Sequence, residues 1–206
     1  MQEDKKEEDK IAKAAGGDKD FKALLEKYSK LFAGDEKYLP LSKLPPVKIE
    51  LLPDARPLKV PPHHMSIEDE QMIEEEIEEE IEEMAAKGLL ERIRDPKWVF
   101  PFFAKGQGRR KGKKRTAVDF RRLNPWLRVV NYPMPIMDDL IPKSSLHIST
   151  IDEAKAYLQQ GMEDPEKCLT ITGPRSDCWY FKGLPLRVSA AVALFQRQME
   201  PSLERI

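Results

Sequence analysis

Two apolar stretches separated by a run of cations limit most tightly what this chain can fold into. Trp98-Val99-Phe100-Pro101-Phe102-Phe103 is strongly apolar, and Arg115 to Phe120 is a second strand candidate. Between them runs Lys105-Gly-Gln-Gly-Arg-Arg-Lys-Gly-Lys-Lys114. Two such stretches joined by a glycine-diluted loop read as a hairpin with a long basic tip, so the fold contains antiparallel sheet. The glycines let Lys105, Arg109, Arg110, Lys111, Lys113, Lys114 and Arg115 wrap around a phosphate backbone. Counterion release would make that binding salt-dependent. A localisation patch or a merely soluble loop has the same composition.

Upstream, the signals are helical and then extended. Residues 1–19 are charged, contain Gly16-Gly17 and have little to bury, so a disordered tail is expected. Phe21, Leu24, Leu25, Tyr28, Leu31 and Phe32 recur at helical spacing, and Gly34 stands where such a helix would end. Between residues 35 and 64 stand Pro40, Pro45, Pro46, Pro53, Pro57, Pro61 and Pro62. Missing amide donors and fixed φ angles disfavour helix there, so an extended crossing segment is expected. Within it Val47 to Leu51 alternates apolar and charged residues, as a short strand does. His63 and His64 have no third ligand nearby and read as loop residues.

Ser66 to Lys87 carries the clearest helical pattern. Ser66 suits the N-cap, Asp69 favours the positive end of the dipole, and Gly88 suits the C′ position. Ile73, Ile77, Ile81 and Met84 form one apolar stripe, with acids on the other faces. The acidic run is either a solvated face or an interaction helix. These patterns divide the chain into a tail (1–19), a helix with a proline-rich segment (20–64) and a main domain (65–206). The formal net charge of -1 names no partner, whereas the segregation of acids and bases along the chain is informative. Cys168 and Cys178 form no CxxC pair and read as reduced thiols. No apolar run approaches a membrane span and the N-terminus has no signal-like apolar region, so an intracellular protein of cytoplasm or nucleus is expected.

Asp152 closes an apolar stretch, Ile148 to Ile151, that suits a strand. A carboxylate there could bind Mg²⁺ through oxygen, or could simply cap the following helix. Holding two ions for nucleotidyl transfer needs further carboxylates.

Taken in order, these phrases resemble a known family. Trp98…Pro101 precedes the basic hairpin. Val118-Asp119-Phe120-Arg121-Arg122-Leu123-Asn124 follows, and then Tyr132-Pro-Met-Pro-Ile-Met-Asp-Asp-Leu140. Ser149-Thr-Ile-Asp-Glu-Ala-Lys-Ala-Tyr-Leu-Gln159 and Ala193-Leu-Phe-Gln-Arg-Gln-Met199 complete the series. The series is similar to the fingers and palm of gypsy-type long-terminal-repeat retrotransposon reverse transcriptases, over roughly residues 45–206. The resemblance implies an α+β fold and RNA-directed DNA polymerisation on an RNA/DNA template-primer with dNTP. It implies Mg²⁺ (or Mn²⁺) held by a catalytic Asp152, with the Glu153 backbone carbonyl as a second contact. Tyr157 becomes the steric gate against a ribose 2′-hydroxyl, and Arg115 with Lys105 binds the triphosphate. Phe195 and Gln196 lie beneath the template, and Arg109, Arg110, Lys111, Lys113 and Lys114 contact nucleic acid.

Departures from the family pattern accompany the match. Pro185-Leu186-Arg187-Val188 stands where the family has Pro-Phe-Gly-Leu, so a long side chain replaces a glycine. Val192 replaces a proline, and Glu153 adds a charge beside Asp152. The Tyr-x-Asp-Asp phrase with the other catalytic aspartates does not occur in these residues. The expectation is therefore a truncated, partly decayed copy without polymerase activity by itself. The alternatives are a non-catalytic nucleic-acid-binding remnant using the basic tip, and an interaction protein using the acidic helix.

Overall fold

The computed structural model describes residues 18–29, 40–62, 67–105, 115–133, 152–173 and 176–203. The chain divides into two compact units, 1–39 and 40–206. The first contains α1 (Lys19–Lys27). Apolar spacing alone places this helix between Phe21 and Phe32, but capping sets its start. The Asp18 carboxylate accepts the amide N–H groups of Asp20 and Phe21 at 2.9 and 3.0 Å, satisfying donors that the first turn leaves free. Tyr28 leaves helical geometry with φ -108° and ψ 19°. Leu31, Phe32 and Gly34 lie outside the described residues.

The second unit is mixed helix and sheet, the α+β class expected. It contains β1 (Val47–Lys48), α2 (Ile67–Ala86), β2 (Leu90–Arg92), β3 (Phe100–Lys105) and β4 (Arg115–Val118). There follow α3 (Ala156–Gln159), β5 (Met162–Glu163), β6 (Thr170–Thr172), β7 (Cys178–Phe181) and α4 (Ala191–Leu203). Five strands form one sheet in the order β2-β7-β6-β3-β4. A smaller parallel sheet pairs β1 with β5, setting Val47 opposite Met162.

The expected hairpin is present. β3 and β4 run antiparallel with Phe102 opposite Val118 and Lys105 opposite Arg115. β3 changes partner along its length. Phe100 and Pro101 pair with β6 in parallel, whereas Phe102 to Lys105 pair with β4. Pro101 sits where the partner changes, a point at which its missing amide hydrogen costs least. Its carbonyl still accepts the Asp119 N–H at 3.1 Å.

The sheet core is aromatic. Phe100, Phe120 and Phe181 are buried, with edge-on ring centroids 5.3 Å apart for Phe100–Phe120 and 6.4 Å for Phe120–Phe181. One face is covered by α2, which lies against β2, β3 and β4. Ile77, Ile81 and Met84 of its apolar stripe are buried, and Glu74, Glu75, Glu79 and Glu82 are exposed. Gly88 takes φ +71°, the left-handed conformation required after a helix end. Ser66, the expected N-cap, and the Ile73 side chain lie outside what is described.

The proline-rich segment is extended and hydrogen-bonded, as expected. Leu52 N–H donates to the Trp126 carbonyl, Arg128 N–H to Glu50, and Val60 N–H to Val99. The strand within it is shorter than the alternation suggests. It ends at Lys48, and Leu51 makes only a bridge to Leu127. Both cysteines are free thiols, and burial pushes the Cys168 thiol up to about 12.

A tight backbone approach lies beside α3. Gly183 bridges Gly161, and a Cβ built on Gly183 would stand 1.9 Å from the Leu158 carbonyl oxygen. That neighbour is backbone and has nowhere to go. Gly183→Ala is expected to destabilise the fold by about 3 kcal/mol or more, read as a lowered midpoint in urea unfolding.

Candidate active site

The segment carrying Asp152 and Tyr157 is built by local geometry. Asp152 and Glu153 precede a tight turn in which Lys155 takes φ 53°. Its carbonyl accepts the Leu158 N–H at 2.9 Å, starting α3. The Gln159 side-chain amide donates to the Ala154 carbonyl at 2.6 Å and closes the turn. The turn is then docked from below. Gln160 is buried, and its side-chain amide donates to the Pro45 carbonyl at 2.9 Å. Leu184 N–H donates to the Gln160 carbonyl, and Ser42 N–H to that of Gln159.

This docking brings Tyr157 onto α4. The rings of Tyr157 and Phe195 lie with centroids 4.8 Å apart and planes tilted by 38°. Two residues singled out by the resemblance for different roles therefore form one aromatic surface. Both stay partly exposed, unlike the three phenylalanines of the sheet core. Leu194, their neighbour on α4, is buried and faces the core instead. Gln196 follows on the same helix and is partly exposed.

The phrase Val118 to Asn124 divides its work between packing and clamping. Val118, Phe120 and Leu123 are buried. Asp119 is buried as well, and Arg121 forks onto it through Nε at 2.8 Å and Nη2 at 2.6 Å, with its backbone N–H at 3.1 Å. The pairing raises the Arg121 guanidinium above its ordinary value. Asn124 reaches across to the loop before α4. Its Nδ2 donates to the Arg187 carbonyl at 3.1 Å, and its Oδ1 accepts the Ser189 N–H at 2.9 Å.

Other expected positions are described less fully. Lys105 and Arg115 are backbone partners at the end of the hairpin ladder. Arg109, Arg110, Lys111, Lys113 and Lys114 lie outside the described residues, as do Ile148 to Ile151 and the Met134–Leu140 stretch. Asp152 is exposed. Among the described residues no three His, Cys, Asp or Glu side chains gather to hold an ion. Asp152 offers one carboxylate, short of the oxygen set that two cations require. Arg187, expected to obstruct where a glycine is usual, is exposed and adopts φ 70°, the left-handed conformation that glycine enters freely.

Sequence reasoning did not find Gln160, Gly161, Gly183 or the Asn124 clamp. Only the glycines carried a local signal, since glycine inside an apolar phrase marks close backbone approach.

Partial burial pushes the Glu153 carboxyl above its ordinary value of 4.5. As pH rises past that value the unfolded chain releases its proton first, so folded stability falls. Glu153→Gln should remove that fall. In urea midpoints, parent and variant should agree below the ordinary value, and the variant should lead near pH ~7.

No family model matches the chain. It is 30% identical over 123 residues to the retrovirus-related Pol polyprotein from transposon 297 of Drosophila melanogaster, a match covering 57% of this chain and 11% of that protein. It is 28% identical over 125 residues to a putative enzymatic polyprotein of Cassava vein mosaic virus, covering 57% of this chain and 19% of the viral protein. The chain thus spans a small part of these relatives. Two solved structures of foamy viral protease-reverse transcriptase superpose on it with TM-scores of 0.76, at 18% and 16% identity. One is in complex with double-stranded DNA and the other with RNA/DNA hybrid. Each superposition covers 98% of this chain, and 35% and 27% of the viral chains respectively. No helix among the described residues is long and apolar enough to cross a membrane. By its fold the chain is similar to foamy viral protease-reverse transcriptase, and by its sequence it is similar to a stretch of a retrotransposon Pol polyprotein.

Proposed function

We propose that this chain is part of an RNA-directed DNA polymerase and supplies the surface that receives template-primer and the incoming deoxynucleotide. The reaction of that class joins a primer 3′-hydroxyl to the α-phosphate of a dNTP. The observation that carries the reading is the Tyr157–Phe195 contact, made directly after Asp152 within a reverse-transcriptase fold.

The roles follow from chemistry. Tyr157 lies against Phe195, ring centroids 4.8 Å apart, two residues after the left-handed turn at Lys155, and this support would hold the ring against a sugar placed beside it. A fixed ring that excludes one hydroxyl selects deoxyribose by bulk. Phe195 and Gln196 present a flat, partly exposed surface suited to a nucleobase or sugar face. The basic hairpin, including Lys105 and Arg115, supplies cations for phosphates. Asp152 is the chain's contribution to a Mg²⁺ or Mn²⁺ site, with the Glu153 carbonyl beside it. Such an ion, when bound, would neutralise phosphate charge and activate the attacking hydroxyl. The complexes formed by the foamy viral proteins support template-primer as the ligand class.

Purified chain should bind an RNA/DNA hybrid with affinity that falls steeply as salt rises. With hybrid and Mg²⁺ present it should retain dCTP in preference to CTP, which differ only at the 2′-position, and Tyr157→Ala should abolish that preference. Unchanged discrimination in the variant would sink the steric-gate assignment. With one carboxylate of the metal set, the chain alone is expected to bind without extending a primer. Template-directed synthesis lost on Asp152→Asn would overturn that part.

A further inference from the structure

We infer that Asn124 is a positioning residue for the Tyr157–Phe195 surface, acting by locking the Arg187 loop that feeds α4. The inference rests on the function proposed above only for its nucleotide readout.

The geometry is specific to one orientation of one side chain. The carboxamide donates to the carbonyl of Arg187 and accepts the amide of Ser189, so it spans the residues on either side of Val188. Reversing the amide would set oxygen against oxygen and N–H against N–H. Asn124 is itself fixed. Its backbone N–H donates to Phe120 at 3.0 Å, and Leu123 beside it is fully buried. The clamp therefore joins a rigid turn at the end of the hairpin to the loop before α4.

That loop needs a clamp. Arg187 stands at φ 70°, a region that L-residues with side chains avoid, and a glycine would sit there without strain. Holding both flanks of Val188 fixes the path into the helix. Val188 and Ala190 are buried, Ala191 N–H donates to the Val188 carbonyl at 3.0 Å, and Leu194 N–H to Ala190 at 3.0 Å. The next residue is Phe195, the partner of Tyr157. The registration of the aromatic surface thus depends on where the loop enters the helix.

The test is hydrogen exchange on the full chain, with a second-site rescue. Asn124→Ala should lower protection of the Ser189, Ala191 and Leu194 amides about tenfold, the loss of roughly two ordinary hydrogen bonds. Adding Arg187→Gly should restore Ala191 and Leu194 to within about threefold of the parent, because glycine adopts this φ without the strain that a side chain meets there. Ser189 should stay unprotected, since its acceptor remains absent. Asn124→Asp keeps that acceptor but sets an oxygen against the Arg187 carbonyl, so it should keep Ser189 protected while lowering Ala191 and Leu194, and it serves as the working variant if the alanine form does not fold. Unchanged protection of Ala191 and Leu194 in these variants overturns the inference, as does a failure of Arg187→Gly to restore α4. With RNA/DNA hybrid and Mg²⁺, the preference for dCTP over CTP should weaken in Asn124→Ala and recover in the double variant. A parent chain that shows no such preference counts against the proposed function, while the exchange results still decide the clamp.

Discussion

The absent side chain at Gly183 governs how this structure holds together around its candidate site. The backbone of the loop before α4 passes so near the Leu158 carbonyl that even a methyl group has no room. Two segments far apart in sequence are thereby brought to van der Waals contact. One carries Asp152 and Tyr157, and the other leads to Phe195. Hydrogen bonds then fasten the approach on both sides, from Leu184 to Gln160 and from Met162 to Lys182. The aromatic surface is a product of that backbone proximity.

Around it the sequence uses polar side chains as fasteners. Gln160 ties the Tyr157 segment to the proline-rich crossing, and Asn124 ties the hairpin turn to the helix entry. Asp119 is buried and paired with its own neighbour two residues on, Arg121, which reaches back to it. These groups have their partners supplied within the fold, which is why they hold the loops rigidly.

Much of the fold was legible in residue order. The α2 stripe of Ile77, Ile81 and Met84, the Gly88 terminator and the β3–β4 hairpin are local patterns, and local patterns survive in a single sequence. The pairing of β3 with β6, and of β6 with β7 and β2, was not legible. Thr170 to Thr172 and Cys178 to Phe181 are too short for a periodic signal, and their partners are distant. The start of α1 was displaced because a cap at Asp18 outranks the first apolar residue. Of the candidate site, Tyr157 and Phe195 were singled out only through a family likeness, and their meeting was not anticipated, since nothing in either phrase refers to the other. Arg187 was read as an obstruction from its bulk. Its backbone adopts a left-handed conformation that glycine enters freely, a property invisible in the side chain.

The change of partners at Pro101 has a mechanical meaning. Beyond that residue the hairpin shares ladder bonds only between its own two strands. Among the described residues β4 is hydrogen-bonded to the sheet through β3 alone, and only past Pro101, so the last strand of the five depends on one neighbour for every rung it makes.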